Sequence, residues 1–223
     1  MILPAFKALL IDLDDTLFPE SAWVDSGLRA AALALAGETG LDTEEALARL
    51  RYEHRRMGRT GAFDRACAWF NISPAPIDIM LEAYRSHAPA LRLYPGAAEA
   101  LEALRPRFRL AIVTDGMGQM QRTKAAALRI AQRVDEIVFC WDEEGCAKPA
   151  PGGFALAAQR LGVTPEECLV VGDDPYLDGL AAEAFGAPFC RVLSGRFADV
   201  ETGPAPMLRI QNFADLPVAL GVA

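Results

Sequence analysis

The sequence predicts an α/β protein: a Rossmann-like, mostly parallel sheet with helices on both faces, interrupted by an inserted all-helical cap. Two observations carry this. From about Pro95 onward, short apolar runs alternate with amphipathic or alanine-rich stretches, the βαβα alternation of a parallel sheet. Between the first strand and the second lies a block of roughly 75 residues without a strand signal, too long for an ordinary crossover helix. The expected division is residues 1–17 and 93–223 for the α/β core, and 18–92 for the helical cap.

Taken in order, Lys7–Ile11 is the opening strand. Within the insertion, Asp42 followed by Glu45 three residues later starts a helix running to about Met57. Gly96–Leu104 reads as the next helix and Phe108–Thr114 as a strand. Helix Gly118–Ile130, strand Glu136–Cys140 and helix Gly152–Leu161 follow, the last closed by Gly162. Thr164, Pro165 and Glu167 form a capping box with proline at the first helical position, so a short turn precedes strand Cys168–Val171. Helix Tyr176–Phe185, closed by Gly186, and strand Pro188–Leu193 complete the series.

Composition narrows the function. In 223 residues, 30 acids outnumber 22 bases for a net charge of −8, which lacks the basic footprint of a nucleic-acid binder. The longest wholly apolar run, Ala30–Ala36, is far short of the roughly 20 residues a membrane helix needs. The N-terminal stretch Met1–Leu10 has no basic leader and does not read as a signal peptide. Five scattered cysteines (Cys67, Cys140, Cys146, Cys168, Cys190) with no CxxC pair are expected to be reduced and buried, in a cytoplasmic protein. The two histidines, His54 and His87, leave little for a histidine-based catalytic cluster.

Four polar stations stand at the C-terminal ends of successive strands, where open α/β sheets gather their ligands. The first is Asp12-Leu13-Asp14-Asp15-Thr16-Leu17: with a strand period of two, Asp12 and Asp14 project to one side, and paired carboxylates on an apolar strand call for a hard cation such as Mg2+. An EF-hand is excluded, because its glycine and glutamate positions fall on Leu17 and Trp23. The second is Thr114-Asp115-Gly116, a hydroxyl and turn amides suited to an anion. Gly116 and Gly118 do not complete a dinucleotide loop, since the third glycine position is Gln121, and no Walker sequence is present. The third is Lys148-Pro149, notable because lysine is scarce in this arginine-rich chain, and a compact ammonium can contact both a phosphate and a carboxylate. The fourth is Gly172-Asp173-Asp174-Pro175-Tyr176-Leu177-Asp178, in which Asp173 or Asp174 alone could also be a helix cap. Acids for a metal, a paired acid, a hydroxyl and a lysine are the inventory of phosphoryl transfer.

In these residues and their order the sequence resembles the haloacid dehalogenase (HAD) superfamily, on its phosphatase side: Asp12 to Thr16 resembles its DxDxT signature, Thr114 its second motif, Lys148 its third and Gly172-Asp173 through Asp178 its fourth. The resemblance implies that Asp12 is the nucleophile and Asp14 the general acid and base. It implies that Thr114 and Lys148, with Asp115 and Gly116 beside them, bind the phosphoryl group. It further implies Mg2+ held by Asp12, the backbone carbonyl of Asp14 and Asp173, with Asp178 as ligand or just behind the ligands. The substrate class implied is a small phosphate ester, a sugar phosphate or nucleotide monophosphate. A phosphomutase, or an idle binding protein of the same fold, are the alternatives. Asp115 stands where relatives often carry asparagine, and Asp174 where small polar residues are frequent, which leaves open whether Asp173 or Asp174 lies nearer the metal.

On the cap, Arg51, His54, Arg55 and Arg56 share one helix, with Arg51 and Arg55 one turn apart. Charge runs usually face water, and a solvated face is the expectation; reading the non-reacting part of the substrate is the other role open to them. Trp23, Trp69 and Trp141 are expected to pack, and Phe18 either to pack or to border the entrance.

Overall fold

A computed structural model describes residues 6–58 and 60–222. The first residues of the apolar stretch Met1–Leu10 lie outside this range. Strand β1 (Ala8–Ile11) is followed by helices α1 (Glu20–Thr39), α2 (Thr43–Met57), α3 (Ala62–Trp69), α4 (Ile77–Ser86) and α5 (Ala97–Leu104). Then come β2 (Arg109–Thr114), α6 (Gly118–Ala127), β3 (Glu136–Phe139), α7 (Gly152–Leu161), β4 (Cys168–Gly172), α8 (Leu180–Phe185), β5 (Phe189–Val192), β6 (Leu208–Ile210) and α9 (Leu216–Ala219).

The strands form one sheet in the order β3-β2-β1-β4-β5-β6, and every pairing among them is parallel. An all-parallel sheet must be covered on both faces, and the strand residues show it. Leu10, Ala111, Val113, Val138 and Val170 pack with Phe154 and Ala157 of α7 and Ala181 of α8, while the alternate set Leu9, Ile11, Leu110, Ile112, Leu169 and Val171 is equally buried. The strand order reverses at β1, between β2 and β4, and such a switch point opens a crevice at the carboxyl ends of the strands. Asp12 follows β1 and Asp173 follows β4, so both acids stand at that crevice.

Two expectations need correction. β6 was not foreseen: it pairs through three residues, Leu208–Ile210, as an edge beyond β5. The expected helix Tyr176–Phe185 is instead a π turn over Pro175–Gly179 followed by α8. In this turn the N–H groups of Asp178 and Gly179 both reach the Asp174 carbonyl, at 2.9 and 3.2 Å. Wide turns of this kind cluster at functional sites.

The chain divides into two compact units, one holding the chain up to Glu20 and from Leu91 onward, the other Ser21–Ala90. Within the second unit, α2 begins as its sequence dictates: Asp42 accepts the Glu45 N–H at 2.9 Å. Its buried Glu53 is held by Arg65 at 2.9 Å and by Arg49, whose guanidinium lies 3.9 Å over the Trp69 ring. Arg51 donates two hydrogen bonds of 2.6 Å to Asp25. Trp23 is buried as expected, whereas Trp69 and Trp141 are mostly exposed. No helix among the described residues is long and apolar enough to cross a membrane.

Candidate active site

Asp12 is fixed before its side chain is considered. Its N–H donates to the Val171 carbonyl of β4 at 2.9 Å, extending the β1–β4 ladder by one bond and setting the residue beside Gly172. Gly172 leaves that space open, because a methyl group there would collide with the Asp178 carboxylate. The Asp12, Asp173 and Asp178 carboxylates converge, each offering an oxygen within 4.8 Å of the others, and all three residues are buried.

Lys148 enters this cluster from the turn before α7. Its Nζ donates to Asp12 Oδ1 at 2.6 Å and to Asp178 Oδ1 at 2.7 Å, and its own backbone N–H is held by the Asp115 carboxylate at 3.1 Å. Burial works against the ammonium charge, but Asp12 and Asp178 outweigh it and hold the proton well above the ordinary lysine range. The carboxylates move the other way. Burial first, then the neighbouring acids, raises Asp12 well above the usual range against the pull of Lys148, and raises Asp173 to about 10.

These directions have one electrostatic origin. Three buried carboxylates face one ammonium, a formal deficit of two positive charges, and buried charge is costly unless it is matched. The donor set is all oxygen and the deficit is two, which fits a hard divalent cation. Asp174 is committed elsewhere: its carboxylate accepts the N–H groups of Tyr176 at 2.8 Å and Leu177 at 3.1 Å, capping the π turn. Of the two adjacent acids, Asp173 is therefore the one in the cluster. Asp178 also accepts the Asp174 N–H, at 3.2 Å.

The other half of the site gathers on Asp14 and Thr114. Thr114 is fully buried at the end of β2, and its Oγ1 accepts from Gln121 Nε2 at 2.9 Å. Gly116, at φ 126°, lies against the same glutamine side chain. Asp14 is gripped by two residues the sequence reading did not single out. Lys124 donates to both of its carboxylate oxygens, at 2.7 and 2.9 Å, and Gln121 donates to Oδ2 at 2.7 Å. Phe18, the entrance candidate, is fully buried, with Lys124 Nζ 6.0 Å from its ring centre.

Within the first motif, Asp15 at φ 55° caps α1, accepting the Glu20 N–H at 2.8 Å. Ser194 Oγ donates to the Asp15 carbonyl at 2.5 Å. Thr16 Oγ1 makes a long contact of 3.5 Å with Asp173. The loop after β5 and the fourth motif thus both support the turn that carries Asp12 and Asp14.

Comparison with known proteins identifies the family. Residues 6–186 match the family model described as haloacid dehalogenase-like hydrolase. The chain is 35% identical over 204 residues to glyceraldehyde 3-phosphate phosphatase of Methanopyrus kandleri, with 87% of each protein covered. It is also 35% identical over 196 residues to ribulose-1,5-bisphosphate 5-phosphatase of Halopiger xanaduensis, covering 80% of this chain and 81% of that one. Its fold is similar to the crystal structure of a putative beta-phosphoglucomutase from Thermotoga maritima, with a TM-score of 0.72, 21% identity, and coverage of 97% and 99% of the two chains. The chain belongs to the haloacid dehalogenase-like hydrolase family.

Proposed function

We propose that this protein is a magnesium-dependent phosphomonoesterase for small sugar phosphates, with Asp12 as nucleophile and residues 18–92 as a helical cap domain. The observation that carries the reading is the pairing of two carboxylates with two separate cations: Asp12 with Lys148, and Asp14 with Lys124. One acid serves as a fixed nucleophile and the other as a proton carrier two residues away, the division of labour that a two-step displacement at phosphorus needs. The second acid also favours a phosphate ester over a halide, because an alkoxide leaving group requires a proton. Two relatives named for acting on glyceraldehyde 3-phosphate and ribulose-1,5-bisphosphate favour a sugar phosphate over a nucleotide.

In this reading an Asp12 oxygen attacks phosphorus, the bond to the leaving oxygen breaks, and Asp14 gives that oxygen its proton. Asp14, now a carboxylate, takes a proton from water as the water attacks the phosphorus of the aspartyl-phosphate. The bond from phosphorus to the Asp12 oxygen breaks, freeing inorganic phosphate and restoring the carboxylate. Thr114 and Lys148 hold phosphoryl oxygens, with Asp115 fastening the Lys148 turn from behind and Gly116 leaving room for Gln121. Asp12, Asp173 and the Asp14 carbonyl, with Asp178 at their back, would hold Mg2+, which when bound neutralises charge on the phosphoryl oxygens.

The test is turnover of a chromogenic phosphate ester and of a panel of triose, pentose and hexose phosphates, with and without Mg2+. Magnesium-dependent phosphate release, lost in Asp12→Asn, supports the assignment. Turnover unchanged in Asp12→Asn overturns it.

A further inference from the structure

Two of the three lysines in this chain are buried, and both end on a carboxylate of the first motif. Lys148 belongs to the motifs already described, whereas Lys124 does not. It lies on α6 three residues after Gln121, and the two side chains leave the same buried face of that helix. A helix face packed on a core is ordinarily filled by apolar residues. Here its polar positions converge instead on Asp14.

The geometry is specific. Lys124 contacts both Asp14 oxygens, at 2.7 and 2.9 Å, and Gln121 Nε2 contacts Oδ2 at 2.7 Å, so the carboxyl group is held at both ends and cannot turn freely. The Lys124 and Asp14 side chains are 4% and 20% exposed, so little water competes for the pair. Gln121 Nε2 also reaches Thr114 Oγ1 at 2.9 Å and the Asp115 carbonyl. The amide nitrogen has two hydrogens for these three acceptors, so one hydrogen is shared between two of them; because the nitrogen only donates, Thr114 is an acceptor there and its own hydrogen remains available for a phosphoryl oxygen. One glutamine thereby ties the orientation of the proton carrier to that of the phosphoryl-binding hydroxyl.

We propose that Lys124 and Gln121 are positioning residues for Asp14, fixing its carboxyl group on the line to the oxygen that leaves phosphorus. This rests on the phosphatase reading above. A positioning role for proton delivery makes a demand that simple structural support does not. The residues matter for esters whose leaving group must be protonated, and much less for esters whose leaving group departs as a stable anion. Proton transfer by a positioned acid contributes about 10²–10⁴ in rate, and misplacing that acid forfeits part of this.

The test compares kcat/KM for glycerol phosphate and for 2,4-dinitrophenyl phosphate, because kcat/KM reports the steps through phosphoryl transfer. Wild type, Lys124→Met, Gln121→Leu and Asp14→Asn are measured at saturating Mg2+. The expected result is that Lys124→Met and Gln121→Leu lose at least about tenfold more on the alkyl ester than on the dinitrophenyl ester, the pattern of Asp14→Asn at smaller amplitude. Equal losses on both esters overturn the proposal and make the pair structural or phosphoryl-binding. No loss on either also overturns it. If Lys124→Met does not fold, as judged by circular dichroism and a melting curve, the ratio in Gln121→Leu decides alone. Wild-type protein inactive on both esters refutes the phosphatase reading itself, whereas an active wild type with parallel losses refutes only the positioning role.

Discussion

Lys148 and Asp178 form an ion pair of 2.7 Å in which both side chains are almost wholly buried, at 2% and 1% exposure. The same ammonium also serves Asp12. Removing one partner of a buried pair leaves a charge without solvent or counterion, a loss of about 3–5 kcal/mol. Lys148→Met is therefore expected to destabilise the metal-free protein by roughly 3 kcal/mol in urea denaturation at neutral pH, and to abolish measurable phosphate release. A midpoint unchanged in urea would show that the acids do not depend on this lysine.

The acid cluster predicts an inverted pH dependence of stability. Asp173 is held at about 10, chiefly by burial and then by Asp12 and Asp178, against 3.8 for an ordinary aspartate. A carboxyl raised in the folded state keeps its proton there while the unfolded chain gives it up. Its favourable contribution is complete below about pH 4 and declines as pH rises toward 10. Metal-free protein should thus melt at lower temperature at pH 9 than at pH 6, a slope opposite to that of salt-bridged surface acids. Saturating Mg2+ should flatten the slope, because ligation replaces the proton and releases it. Melting curves in EDTA and in Mg2+ across pH 5–9 check this. A level profile in EDTA would contradict the electrostatic account of the cluster.

Gly172 offers a test without touching any charged group. An added Cβ would fall on the Asp178 carboxylate, displacing it from Lys148 and from the Asp174 N–H. Overpacking of this kind costs about 1–3 kcal/mol. Gly172→Ala is expected to remain folded, lose that much stability, and bind Mg2+ more weakly by calorimetric titration. Unaltered Mg2+ affinity would place Asp178 outside the metal's reach.

The elements that position these groups were legible because their signals are local. Asp42 and Glu45 set the start of α2, Thr164 and Glu167 close a capping box, and each station follows an apolar run that forms a strand. β6 escaped because three residues carry no readable alternation and its pairing with β5 is a tertiary event. The π turn at Pro175–Gly179 escaped because α and π turns share one sequence pattern, and the extra residue is set by Asp174 and Asp178 bonding across it. The scarcity of lysine that marked Lys148 marks Lys124 equally well. What hid Lys124 is that its partner, Asp14, lies 110 residues away, and no spacing rule spans such a distance. Asp173 and Asp174 are indistinguishable as text and separate only when their hydrogen bonds are seen.

The basic residues of α2 bear on how substrate is chosen. Arg51 spends its Nε–Nη2 edge on Asp25, whose carboxyl these hydrogen bonds hold below the usual range. Both partners are substantially exposed, at 32% and 51%, so solvent screening limits the pair to about 0.5 kcal/mol. The Asp25 pair holds the Nε–Nη2 edge of Arg51 against a neighbour within its own unit, and Arg55 is exposed, so neither side chain is organised in advance around a phosphate or a sugar hydroxyl. Arg51→Ala and Arg55→Ala are accordingly expected to leave the order of preference across a panel of sugar phosphates unchanged, with melting temperatures within about 2 °C of wild type. A reordered panel would show that Arg51 exchanges Asp25 for substrate during turnover. In that case Asp25→Asn, which loosens the competing pair, should raise affinity for the same substrates.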